Sequence, residues 1–454
     1  YLRFKADVSI PTFDYLTNLI ARRTIPEPVH ASVNWQSLWN NRTMGIMVRV
    51  VLLCFALLAA FSQAAARKPV LCYYSSWSTY RPGRGQFNVE HIDPFLCTHL
   101  LYAFFGVDDT GAVTILDPWL DLEDGGGRGN IRRFNELRHV NPNLKTLAAV
   151  GGASVDPVIF SQIAASASLR EAFARNAREF CQVHGFDGVD IGWEFPAMHE
   201  GNTANDKANF VLMLSQLATE LRSHGLLVTG ALAASETIAS VAYDISGIVP
   251  HLDLINLMAY DFNGAWNSFT GHNAPLFAGP SDQNDFQRLL NVDHSINYWL
   301  QQGAPASKLV LGVPAYGRTF TLSDAALNGL RAPSEGPGWA GPYTAQPGYI
   351  AYHEVCAYFL PGMSWQRVWE PAQRIPYGFS EHQWVGYDDR DSILEKCSYV
   401  NSRNLAGVMI WAIDMDDFHG YCGTSPALAP ALRRFHRSTA PGRGRRCGSL
   451  AKCE

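Results

Sequence analysis

The stretch from Phe186 to Pro196, FDGVDIGWEFP, constrains the fold more than any other part of the chain. Three acids, Asp187, Asp190 and Glu194, are set among Val189, Ile191 and Trp193. Side chains alternate faces along a strand, so Val189, Ile191 and Trp193 point one way and Asp190, Gly192 and Glu194 the other. The apolar row suits packing against helices. A row of carboxylates is costly to bury unless it is paired or hydrogen-bonded. Two acids stacked inside a barrel shift each other's pKa, which marks functional sites. A buried strand with a structural acid pair is the alternative reading of the same pattern.

The surrounding chain supplies strands and helices in alternation. Leu71 to Tyr74 and Thr98 to Val107 read as strands. NPNLKTLAAVGGAS, Asn141 to Ser154, is a turn, a strand and then the pair Gly151-Gly152, which permits close backbone approach. Leu169 to Cys181 and Ala204 to His224 carry helical patterns, and Leu226 to Ala234 is a further strand. LDLINLMAYDF (252 to 262), LVLGVPAYGRTF (309 to 320) and LAGVMIWAID (405 to 414) complete the set. Between about 319 and 390 Gly and Pro become dense and the strands short. Eight β segments separated by helical patterns predict an α/β fold, a (β/α)8 TIM barrel, whose site lies at the C-terminal ends of its strands. The 454 residues, 47 % of them hydrophobic, accommodate one large α/β barrel or two to three smaller domains.

The ends read differently. Residues 1–43 show no sustained apolar period and are expected not to belong to the natural product, although they carry a sequon at Asn41. Residues 44–66 run from a basic start through an apolar centre, Val50 to Phe61, to small residues, the layout of a secretory signal peptide. A membrane anchor is the alternative, and the run is short for a span. The mature chain is expected to start near Arg67 and to be secreted and extracellular, with no membrane attachment. Residues 437–454 are short, Gly-rich and basic, and read as a disordered tail. The net charge of −5, with no long basic block in the middle of the chain, argues against a nucleic-acid partner.

FDGVDIGWEFP resembles the signature of the family-18 glycoside hydrolases, the chitinases and chitinase-like lectins. The family pattern is D-x-x-D-x-D-x-E, usually followed by Tyr-Pro. This chain matches at Asp187, Asp190 and Glu194. It departs at Gly192, where active members carry Asp, and at Phe195 in place of Tyr. The resemblance runs from about Val70 to Cys422 and implies a small α+β domain inserted between barrel strand seven and helix seven. It implies disulfides pairing Cys72 with Cys97 and Cys356 with Cys422, and leaves Cys181, Cys397, Cys447 and Cys453 unassigned.

The resemblance also implies a ligand, chitin or chito-oligosaccharide. Tyr73, Trp77, Gly151, Gly152, Met258, Trp266, Tyr316, Arg318 and Trp411 would line the sugar groove, while Tyr260 and Asp261 would hold the acetamido group and the distorted sugar. Read alone, Tyr260 and Asp261 suit a structural hydrogen bond and Trp411 a barrel core. Ala153 stands where chitinases often carry a Trp, so one leaving-group platform is missing. The family mechanism is substrate-assisted, an exception to the two-carboxylate schemes. Glu194 would protonate the glycosidic oxygen and the substrate's N-acetyl oxygen would attack the anomeric carbon; Asp187 and Asp190 complete the catalytic set. The Asp normally at 192 orients the acetamido group, and Gly192 supplies no side chain for that.

Three functions therefore stand against one another: a secreted sugar-binding protein with weak or lost hydrolysis, an active endochitinase, and a growth-factor-like signalling protein using the barrel as scaffold. No metal-spaced His/Cys cluster and no phosphate-binding Gly loop is present in the sequence, so no cofactor is expected, and the chain is expected to be a monomer.

Overall fold

A computed structural model describes residues 68–199, 204–359, 362–422, 428 and 431–432. The signal segment, the upstream residues 1–43, the tail 437–454 and the cysteines Cys54, Cys447 and Cys453 lie outside the described residues. In chain order the first strands are β1 (Val70–Ser75), β2 (His99–Val107), β3 (Val113–Ile115), β4 (Lys145–Gly151), β5 (Gly188–Gly192), β6 (Leu227–Ala233), β7 (Leu254–Met258) and β8 (Leu309–Pro314). Then come β9 (Tyr316–Leu322), β10 (Ser334–Pro337), β11 (Tyr349–Ala351), β12 (Gln366–Glu370), β13 (Ile375–Ser380), β14 (Gln383–Gly386) and β15 (Gly407–Trp411).

The strands β1, β2, β4, β5, β6, β7, β8 and β15 are parallel neighbours, and β1 pairs with both β2 and β15, which closes the barrel. The short β3 lies antiparallel on β2. The predicted (β/α)8 fold is therefore present. Parallel strands buried on both faces explain why runs such as VLCYYS and LVLGVP are almost wholly apolar.

Around β5 the sequence pattern translates directly into packing. The helix Ala167–His184 is capped at its start by the Ser166 hydroxyl and stops on Gly185, whose left-handed φ of 79° suits glycine. The chain then enters β5. Trp193 is fully buried, stacked on Phe160 at 5.8 Å and edge-on to Phe210 at 5.5 Å. Both rings belong to flanking helices, Pro157–Ala165 and Asp206–Arg222. The apolar row thus faces the helices and leaves Asp190, Gly192 and Glu194 for the barrel interior.

The stretch LVLGVPAYGRTF is not one strand. β8 ends at Pro314, and from Tyr316 the chain joins a second sheet of order β10-β9-β14-β13-β12, with β11 on β9. Every pairing in that sheet is antiparallel. Extended, strand-forming sequence continues through the junction, LVLGVP into YGRTFTL, so the pattern gives no sign of the switch. Proline ends the ladder, and the Ala315 N–H donates to the Trp411 carbonyl at 2.8 Å. The insertion therefore starts three residues before the expected boundary. It includes the helix Tyr352–Tyr358 and hands back to the barrel through the helix Arg390–Ser402. At that exit Lys396 and Asp388, both fully buried, pair at 2.7 Å. Disulfides join Cys72 to Cys97 and Cys356 to Cys422, and Cys181 and Cys397 are free and buried. Among the described residues no helix is long and apolar enough to cross a membrane.

Candidate active site

The interior of β5 explains how a carboxylate is kept in the barrel. Asp190 is 1 % exposed and accepts hydrogen bonds from the Tyr73 hydroxyl at 2.5 Å, the Thr229 hydroxyl at 2.6 Å and the Asn256 amide at 2.9 Å. Burial pushes its pKa up, and the three donors, one each from β1, β6 and β7, pull it back. Thr229 and Asn256 were not singled out from sequence, yet each is a lone polar residue inside an apolar strand, LVTGALA and LINLM.

Four residues along the chain, Glu194 borders a cavity of about 400 Å³. Tyr73, Trp77, Gly192, Met258, Tyr260, Asp261, Tyr316, Arg318 and Trp411 border the same cavity, as does Ala153. Its setting among protein atoms, and secondarily the Asp261 carboxylate, pushes the Glu194 pKa up to about 7. A carboxyl that keeps its proton near neutral pH is fitted to donate it.

Asp261 takes a left-handed φ of 61°, which Asp tolerates better than most residues. The Asn273 side chain fixes that turn by accepting the Asp261 N–H at 2.8 Å. The Asp261 carboxylate then accepts from the Tyr316 hydroxyl at 2.7 Å and from Arg318 at 2.7–2.8 Å. The Arg318 guanidinium also lies over the rings of Trp266, Tyr316 and Tyr349 at 5.1–5.4 Å. Trp266, 60 % exposed, borders an adjoining cavity of about 360 Å³ together with Glu194, Tyr260 and Phe286.

Aromatic rings pave the other side. Trp411 lies 5.4 Å from Phe104 with the planes 21° apart, and Phe104 lies 5.9 Å from Trp77. Phe104 was not foreseen, nor were Arg81 and Ser75, which also border the cavity. Arg81 ion-pairs with buried Asp414 at 2.7 Å, and Asp414 accepts the Ser75 N–H at 3.0 Å. Gly151 and Gly152 support the site from behind. A Cβ at Gly151 would come within 2.2 Å of the Gly192 carbonyl, and one at Gly152 within 2.7 Å of the Phe104 ring.

The structure does not bring Asp187 into this groove. It precedes β5 at the opposite end of the barrel, where it pairs with Arg138 at 2.9 Å and Lys145 at 2.8 Å and accepts the Thr146 N–H. Burial works upward on its pKa, but those donors hold it below the usual carboxylate value. Among the described residues one group has metal-ligand proximity, Cys356, Asp417 and Cys422, and its two cysteines are bonded to each other.

The model for glycosyl hydrolases family 18 matches residues 69–416, most of the chain and all of the barrel. The chain belongs to that family. It is 40 % identical over 365 residues to probable chitinase 2 of Drosophila melanogaster, covering 78 % of this chain and 73 % of that protein. The crystal structure of Ostrinia furnacalis group IV chitinase in complex with allosamidin matches with a TM-score of 0.79 at 42 % identity, over 82 % of this chain and all of that one. Human YKL-39, described as a pseudo-chitinase with retained chitooligosaccharide binding, matches with a TM-score of 0.74 at 34 % identity, over 81 % of this chain and 99 % of that one. This family-18 chain thus has both chitinases and a pseudo-chitinase among its neighbours.

Proposed function

We propose that this family-18 protein is secreted, binds chitin or chito-oligosaccharides in the groove, and hydrolyses β-1,4-linked N-acetylglucosamine weakly or not at all. One observation carries the reading. The groove keeps Glu194, Tyr260, Asp261, Arg318 and Trp411, but at Gly192, between the two inward carboxyls of β5, there is no side chain. In the substrate-assisted scheme Glu194 gives its proton to the leaving oxygen while the N-acetyl oxygen attacks. A carboxylate at 192 would accept the acetamido N–H and offset the growing positive charge. Asp190 sits two residues away, roughly 6.6 Å along the strand, and its oxygens are already engaged by three donors. Loss of one preorganised electrostatic partner costs about 10²–10³ in rate.

The ligand class follows from the paved side of the groove, since ring faces such as Trp411 and Trp77 stack on pyranose rings, and from the neighbours, one solved with allosamidin and one described as binding chitooligosaccharides. Disulfides at Cys72–Cys97 and Cys356–Cys422 favour an oxidising compartment and so secretion. On this reading residues 44–66 are a signal peptide, the mature barrel spans about 67–436 as a monomer, and its N-terminus falls between Ala65 and Lys68.

A working endochitinase is the second reading, favoured by the Glu194 pKa of about 7 inside the groove. Turnover of a chromogenic chitobioside and retention on chitin beads, with Glu194→Gln as the blank, separate the two. Retention without turnover above the blank supports the first; rapid turnover supports the second.

A further inference from the structure

Gly192 carries no side chain and borders the groove. An added Cβ at Gly192 has its three nearest neighbours in the β4 end, Gly152 N at 3.1 Å, Gly152 Cα at 3.7 Å and the Val150 carbonyl at 3.8 Å. All three are backbone atoms of the neighbouring strand end. Glu194 and Tyr260 border the same groove as Gly192. The Tyr260 hydroxyl has the Met409 sulfur at 3.9 Å, a weak acceptor that leaves the proton available to a stronger one. Arg318 is committed to Asp261 and does not compete.

We infer that the space beside Gly192 is a binding site for a small monocarboxylate such as formate, which restores hydrolysis by standing where a carboxylate side chain is missing. This inference rests on the proposed reading of Gly192 as the defect. Repulsion from the neighbouring acids is limited, since Asp261 is paired with Arg318. Glu194 carries its proton below about pH 7, and the oxygens of Asp190 are turned to Tyr73, Thr229 and Asn256. The anion accepts hydrogen bonds from the Tyr260 hydroxyl and from the acetamido N–H of the sugar. Glu194 then passes its proton to the glycosidic oxygen, the bond from that oxygen to C1 breaks, and the acetamido oxygen bonds to C1. The oxazolinium cation so formed is balanced by the bound anion. Water opens it by attacking C1 while giving a proton to the Glu194 carboxylate, and the anion leaves unchanged. A free anion lacks the effective concentration of a tethered side chain, so the gain is partial.

The test measures chitobioside turnover by the mature chain below about pH 7 in increasing sodium formate, with sodium chloride holding ionic strength constant. The expected result is a saturable rise of about tenfold or more, short of the ~10²–10³ of a built-in partner, absent in Gly192→Asp and in Glu194→Gln. If formate leaves the parent unchanged while Gly192→Asp raises turnover, the site is overturned and the reading of Gly192 stands. No gain by either route overturns both. A rise of the same size in Gly192→Asp, or one that chloride reproduces, overturns the site as well.

Discussion

The hydroxyl of Tyr73 lies 2.5 Å from a carboxylate oxygen of Asp190, inside the barrel where both residues are at most 1 % exposed. The bond ties β1 to β5 across the interior and is one of three that make a buried acid tolerable. Tyr73→Phe removes a donor and leaves the ring in place. The expected loss is about 1–3 kcal/mol of unfolding free energy, the cost of leaving a buried acceptor short of a partner. Urea denaturation of parent and variant measures it, and an unchanged midpoint contradicts the role given to this bond.

The elevated pKa of Glu194 has a sign that can be checked. Its folded value of about 7 stands above the ordinary 4.5, so between those pH values the folded chain holds a proton that the unfolded chain releases. The stability contribution is complete below about 4.5 and is lost as pH rises through about 7. Glu194→Gln carries no such proton, and the stability difference between Gln variant and parent should shift in favour of Gln across this window. Thermal melts of both chains from pH 4 to 8 provide the comparison. A constant difference would show that the carboxyl titrates normally.

Asp187 and Asp190 should separate cleanly. Asp187→Asn removes the charge that pairs with Arg138 and Lys145 at the far end of the barrel. It should cost about 1–3 kcal/mol in stability and leave chito-oligosaccharide affinity unchanged. Calorimetric titration with chitohexaose of a folded Asp187→Asn protein checks this, and a lost affinity would return Asp187 to the site.

Sugar binding should be visible in tryptophan emission. Trp77 and Trp411 are 6.3 Å apart and border one cavity, and Trp266, 60 % exposed, borders the adjoining one. Chitohexaose is expected to quench the parent. Trp411→Ala should bind about tenfold more weakly, the scale of one aromatic platform at ~1.5 kcal/mol. Emission indifferent to saturating sugar, with no retention on chitin beads, contradicts a carbohydrate role.

Much of this architecture was legible in the chain because β5 announces both of its faces. Val189, Ile191 and Trp193 alternate with Asp190, Gly192 and Glu194, and burial on the helix side follows from that alternation. What stayed hidden depends on contacts between distant segments. Arg81 and Asp414 lie 333 residues apart, and neither belongs to a pattern that names the other. Asp187 reads like Asp190 in a motif, but only the barrel tells which end of the strand each occupies. The switch of sheets at Ala315 is silent because strand-forming residues run through it without a break.

The measurement that bears most directly on Gly192 is turnover of chitobioside by Gly192→Asp against the parent. The added Cβ meets Gly152 N at 3.1 Å, a tight contact that requires this backbone to give way by a few tenths of an ångström. The new carboxylate would then stand on the inward face of β5 between Asp190 and Glu194. A gain of about 10²–10³ in rate is expected, abolished by adding Glu194→Gln. A parent chain that already hydrolyses chitobioside as fast as Gly192→Asp would contradict the account and make this an ordinary working chitinase.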